Sequence, residues 1–163
     1  MGNESQTTPA IAALEASGLV FEVVRTAAAH SAEESAELQG IELSALLRTI
    51  VVRRGDDDYV FVLVPGGRRL DWPKLRAHLG VRRMSLPDAE EARAATGYER
   101  GAITPLGSQK SWPVIADASV LTPAVVAIGG GARGVNVHLA PRALVDRLAA
   151  EVVDVTVDEA APS

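Results

Sequence analysis

Apolar and polar positions divide this chain into short elements. In IAALEAS, Ile11 to Ser17, they keep helical spacing. Thr8 stands at the capping position, and Pro9 suits a first turn, where its missing N–H has no intrahelical acceptor. Gly18 closes that helix. LVFEVVR, residues 19–25, then reads as a strand. Ser31-Ala32-Glu33-Glu34 fits a capping box and predicts a helix to about Gln39, broken at Gly40. A helical turn at 44–47 leads into TIVVRR, a β-branched strand, and YVFVLV returns from the loop Gly55–Asp58 as its hairpin partner. DWPKLRAHLG predicts a helix capped by Asp71, VRRM a short strand, and SLPDAEEARAATG a helix capped by Ser85 and stopped by Gly97. PVIAD, AVVAIGG and VNVHL follow as three apolar strands. A last helix, Pro141 to Ala149, precedes the strand VVDVTV.

Helices and strands are interspersed, but residues 49–54 and 59–64 are joined by a loop too short for a parallel crossover. A mixed α/β fold with helices packed on the sheet is therefore expected, not a doubly wound parallel one. No repeat and no long linker divides the chain. One domain over residues 8–157 is expected, with flexible termini at 1–7 and 158–163.

Composition narrows the chemistry. The 163 residues are enough for a sizeable core, and with aromatics at 4% that core must be aliphatic. There is no cysteine, which excludes disulfides, thiolate nucleophiles and zinc–cysteine sites. No apolar run is long enough to span a bilayer, and MGNESQTTPA is not a secretory signal, so a cytoplasmic location is expected. Net charge is −5, against indiscriminate nucleic-acid binding, yet residues 48–83 hold nine basic and four acidic side chains. Two readings stand for that basic centre: a local contact with phosphate or RNA, with Arg53, Arg54, Arg68 and Arg69 as candidates, or arginines scattered over a solvated surface. Arginine outnumbers lysine fourteen to two, which warns against giving each one a role.

The usual catalytic constellations are missing. His30, His78 and His138 lie on separate elements without metal spacing, and no GxSxG elbow occurs. IGGGARG, Ile128 to Gly134, lacks the Lys-Ser/Thr ending of a phosphate loop and precedes a strand, so a turn between strands is its plain reading. GYERGAITPLG, Gly97 to Gly107, has three glycines and one proline directly after a helix. Glycine lets a ligand approach backbone N–H groups, and such groups can stabilise a developing oxyanion. Two glycine-rich loops facing one pocket would form a site built mainly of backbone.

ATGYERGAITPLGSQKSWPVIAD, with GGARGVNVHLAPRALVDRL and LLRTIVVRR, resembles the YbaK family, bacterial aminoacyl-tRNA editing proteins related to the insertion domain of prolyl-tRNA synthetase. The resemblance implies a mixed, largely antiparallel curved sheet with packed helices. It implies hydrolysis of the ester joining a wrong amino acid to the 3′ end of tRNA, acting in trans, with no metal or organic cofactor. tRNAPro carrying a small amino acid such as Cys or Ala is the expected substrate. The partner is mischarged tRNA, with an aminoacyl-tRNA synthetase as a further candidate and no membrane.

Carried onto this sequence, the resemblance places Gly101 at the glycine that approaches the substrate carbonyl. Thr104, Pro105 and Gly107 match the rest of that motif, Asp117 the Asp after the next strand, and Gly130 and Gly131 the second loop. His30 is a further candidate for substrate binding. Arg48 stands where the family has a lysine, and arginine, unlike lysine, is effectively never a base. Arg48 and Gly101 are the candidate catalytic positions. A deacylase, a pocket that binds aminoacyl-tRNA ends without chemistry, and a purely structural domain are the three readings the sequence leaves.

Overall fold

The computed structural model describes residues 7–162. Its centre is the hairpin of β2 (Leu47–Gly55) and β3 (Asp58–Pro65), antiparallel as the short loop requires. β3 is buried along nearly its whole length because it separates two cores. Tyr59, Phe61 and Leu63 face one, while Val60, Val62 and Val64 face the other, the period of two expected of a pleated strand.

The sheet grows from β3 in the parallel sense. β5 (Val114–Asp117) pairs with β3, and β8 (Glu151–Val153) pairs with β5. On the other side, β1 (Glu22–Arg25), β7 (Val135–Leu139) and β6 (Val126–Gly129) form an antiparallel sheet in the order β1-β7-β6. A bridge between Leu46 and Ala127 joins it to the edge of β2. The small pair β4 (Arg68–Leu70) and β9 (Thr156–Asp158) completes the strands. The fold is thus the expected mixed α/β arrangement, and the parallel β3-β5-β8 side accompanies the antiparallel remainder.

Helices α1 (Pro9–Ser17), α4 (Ala89–Thr96) and α5 (Pro141–Leu148) bury Leu14, Ala95, Leu144 and Val145 in the first core. α3 (Trp72–Leu79) buries Leu75 in the second, and α2 (Ala32–Gln39) lies after β1. The predicted caps at Thr8, Ser31 and Asp71 all form: each side chain accepts a backbone N–H three residues on.

Four local expectations change. VRRM is not a strand; only the pair Arg53–Ser85 bridges there, because Met84 turns into the second core. α4 starts at Ala89 under Asp88, not under Ser85, since Pro87 disfavours a helical residue before it and Asp88 caps from the position directly before the helix. The first strand begins at Glu22 rather than Leu19, and Leu19 and Phe21 pack on the core from outside it. VVDVTV splits at Asp154 and Val155 into β8 and β9, which serve different sheets. Of the termini expected to be loose, residues 1–6 and 163 lie outside the described residues. Asp158 belongs to β9, Glu159 N–H donates to Gly67 O at 3.0 Å, and the Arg69 guanidinium donates to Ala161 O at 2.8 Å.

Candidate active site

The segment 97–107 is held shut by its own atoms. Gly97 caps α4, and the Tyr98 ring turns inward, 4% exposed, so that its hydroxyl donates to Leu106 O at 2.6 Å. Burial pushes the Tyr98 phenol up to about 12, so it stays a donor. Thr104 is fully buried, and its Oγ1 accepts from Leu106 N–H at 3.3 Å. Gly107 has φ +65°, and a Cβ there would collide with the Pro9 carbonyl and stand 2.8 Å from Ala10 N. The bare backbone at Gly107 thus lets the first turn of α1 dock.

Gly101, at φ +89°, forms the crest of the loop. It meets the second glycine-rich loop at Arg133, whose Nε lies 3.3 Å from where a Gly101 Cβ would stand. The Arg133 guanidinium also donates to Arg100 O at 3.2 Å. Between the loops lies a hollow of about 350 Å³, walled by Gly101 to Ile103, Gly129, 132–136 and the stretch from Thr26 through Ala29 to Ser31 and Ser35. Three consecutive alanines, 27–29, leave the room that larger side chains would fill. Thr26 N–H donates to Gly134 O at 2.8 Å, which ties this wall to the second loop.

Gly101 N–H and Ile103 N–H have no protein acceptor among the described residues; Ala102 N–H, between them, donates to Glu99 O at 2.9 Å. Gly101 and Ile103 both stand in the wall of the hollow, to which Arg133 adds a guanidinium. Thr26, Ser31, Ser35 and Asn136 complete the polar lining, which includes no carboxylate and no imidazole. Among the described residues, no group of three or more His, Asp or Glu side chains could hold a metal ion.

The other predicted positions serve this frame or lie away from it. Gly130 carries the carbonyl that accepts from Thr8 Oγ1 at 2.5 Å, and its own N–H donates to Val135 O. Gly131 lies against Tyr98 and Thr8. Pro105 and Gly107 border a different hollow, beside Trp112 and Arg147. His30 is 92% exposed in its side chain and pairs with Glu34 at 3.2 Å, flanked by two lining residues but not lining the hollow itself. The backbone N–H of His30, and then its ring, hold the Glu34 carboxyl below its ordinary value. Arg48 is exposed and donates to Arg68 O at 2.7 Å, and it does not line the hollow. Arg53 and Arg54 are paired with Asp56 and Asp58, while Arg68 donates to Thr156 Oγ1. The four arginines first singled out for phosphate are thus engaged within the fold.

Asp117 is 2% exposed, and its carboxylate accepts from Ser119 N–H, Ser119 Oγ and, at 3.0 Å, Val155 N–H. Burial pushes its pKa up, but the bonds from Ser119, Val155 and Thr156 outweigh burial and hold it below the ordinary 3.8. Its role is to fasten the chain between β8 and β9 to the end of β5. A carboxylate with a lowered pKa stabilises the fold above its unfolded pKa, and that stability is lost as pH falls through the folded one. Asp117→Asn is therefore expected to lower the melting temperature at pH 7, with the gap to the wild type closing as pH falls below about 4. Thermal unfolding from pH 7 to pH 3 tests this; a constant gap would remove charge from the role of Asp117.

Arg133 and the alanine wall are what sequence reasoning missed. The signal for Arg133 was a lone cation inside GGGARG, and for the wall it was the small-residue run in TAAAHS.

Fold and hollow together define a mixed α/β domain with a small site made mainly of backbone from two glycine loops. The profile of the family described as aminoacyl-tRNA editing domain matches residues 26–146, and the chain belongs to that family. The resemblance read from Ala95 to Asp117 is borne out. A protein of Enterococcus faecalis described as "Putative Cys-tRNA(Pro)/Cys-tRNA(Cys) deacylase EbsC" is 29% identical over 79% of this chain and 79% of its own. The proline–tRNA ligase of Thermosipho melanesiensis is 30% identical over 72% of this chain, which spans only 21% of that enzyme. A structure titled "Crystal structure of a putative trans-editing enzyme for prolyl tRNA synthetase" superposes with a TM-score of 0.86 at 27% identity, covering 94% of this chain and 99% of that one. No described helix is long and apolar enough to cross a membrane.

Proposed function

We propose that this protein is a trans-editing aminoacyl-tRNA deacylase that hydrolyses the ester between a mischarged small amino acid, such as Cys or Ala, and the 3′ end of tRNAPro. The observation that carries this reading is the meeting of Gly101 and Arg133 over a hollow with free backbone donors. Ester hydrolysis places negative charge on the former carbonyl oxygen, and preorganised N–H groups beside a cation stabilise that charge without reorganisation. The amides of Gly101 and Ile103 and the guanidinium of Arg133 have those properties. With no carboxylate or imidazole in the lining, attack falls to a water oriented by Thr26, Ser31, Ser35 or Asn136, or to a group of the substrate itself. The volume of about 350 Å³, which has to take the ester and the end of the nucleic acid as well, favours a small amino-acid side chain. The names of the relatives support Cys and tRNAPro in particular.

The same lack of an ionisable base supports a second reading, in which the pocket binds an aminoacyl-tRNA end without turnover. A deacylation panel separates the two: tRNAPro charged with Cys, Ala, Ser, Thr or Pro, with other tRNAs as controls. Enzyme-dependent release of Cys or Ala that persists in chelator is the expected result. A wild type inert across the panel, at concentrations that bind tRNA, would leave only the binding reading.

A further inference from the structure

Another concave surface, of about 430 Å³, is walled by Arg53, Arg54, Arg76, Arg82 and Arg83. Arg53 and Arg54 spend their charge on Asp56, Glu91 and Asp58. Arg76, Arg82 and Arg83 enter no ion pair among the described residues, and Arg82 and Arg83 are exposed. They are not on a loose loop. Ser85 exchanges two backbone hydrogen bonds with Arg53, at 2.8 and 3.1 Å, and Met84 packs into the second core. The segment is thus pinned to the edge of β2 while it presents two adjacent guanidiniums to solvent.

We propose that this arginine groove is a docking surface for the phosphodiester backbone of the tRNA substrate, separate from the hollow that holds the ester; the proposal rests on the deacylase reading. Guanidinium keeps its charge at any working pH and matches phosphate oxygens with two parallel donors. A chain of net charge −5 repels polyanions elsewhere, so a local cluster of unpaired arginines decides where one can settle. A groove lined by several guanidiniums suits successive phosphates better than a single small anion. Its position also fits. Arg53 contacts Glu91 in the first turn of α4 at 3.0 Å, and α4 leads through Gly97 to the crest at Gly101. The helix from Glu91 to Gly97 rises roughly 9 Å. One short helix thus connects the Arg53–Glu91 contact at the groove to the loop that borders the hollow.

The double variant Arg82→Glu/Arg83→Glu, with Arg82→Lys/Arg83→Lys beside it, tests this in the whole protein. Both substitutions are on exposed side chains, and unchanged thermal unfolding would show the fold intact. For the Glu pair, the plot of log binding constant for tRNA against log salt should become less steep by about two units. KM for mischarged tRNA should rise with kcat unchanged, and hydrolysis of an aminoacyl ester of adenosine, too short to reach the groove, should not change. The Lys pair should keep the wild-type slope. An unchanged slope and affinity in the Glu pair would overturn the proposal. So would loss of poly-glutamate binding with tRNA binding intact, which would assign the surface to an acidic protein segment. A wild type that binds tRNA through this surface yet never deacylates it would sink the proposed activity and leave the docking surface standing.

Discussion

Arg133→Ala is expected to lower deacylation of mischarged tRNA about 10²-fold, the loss typical of removing one donor to an oxyanion. The guanidinium is the one cation among the residues lining the hollow, and it stands over Gly101. Arg133→Lys keeps the charge but loses the planar fork that also reaches Arg100 O, so it should recover only part of the rate. Arg48→Ala should cost much less, because its guanidinium bonds Arg68 O and is absent from the lining. Single-turnover rates at saturating enzyme measure all three variants on one scale. An Arg133→Ala enzyme as fast as the wild type would leave the backbone amides as the source of stabilisation. A larger loss in Arg48→Ala than in Arg133→Ala would mean that Arg48 reaches the ester when tRNA is bound.

Gly107→Ala should be the most destabilising small substitution in the chain. A side chain at positive φ costs about 1–2 kcal/mol, and displacing packed backbone costs about 1–3 kcal/mol more. Here the displaced atoms are Pro9 O and Ala10 N in the first turn of α1. About 3 kcal/mol in all would lower the melting temperature of a domain this size by roughly 6–12 °C. Thermal unfolding followed by circular dichroism measures the shift. Gly55→Ala is the control, since nothing lies within 4 Å of a Cβ there. Equal melting temperatures in the two variants would show that α1 does not depend on the close approach at Gly107.

Much of this frame was legible in the chain, for local reasons. Caps at Thr8, Ser31 and Asp71, and the hairpin around Gly55 to Asp58, are set by residues close in sequence. The parallel pairing of β3 with β5 was not legible, because Val114 lies 53 positions after its partner Phe61 and no turn chemistry specifies that contact. The site divides in the same way. GYERGAITPLG announced a loop with exposed backbone, but its three glycines proved to do three things: Gly97 ends a helix, Gly101 borders the hollow and Gly107 admits α1. Composition cannot separate those roles, since each needs only the missing Cβ. Arg48 was singled out by its place in a motif. A strand position, however, fixes only which face a side chain takes, not which pocket it reaches. Arg133 had no such placement and owes its position over Gly101 to the meeting of two loops.

Thr8 joins those loops: its hydroxyl holds Gly130 O across 122 residues of chain, and the next residue, Pro9, lies against Gly107. On the ribosome, Thr8 emerges before its partner at Gly130, which follows 122 residues later. The nascent chain therefore carries a first helix that caps itself locally at Thr8 but has no second loop to fasten, and no hollow. Contacts of such long sequence separation form late, because loop closure must precede them. An unfinished or truncated copy would lack the hollow in which the proposed hydrolysis takes place. The proposed site comes into being only when both loops are there to hold it.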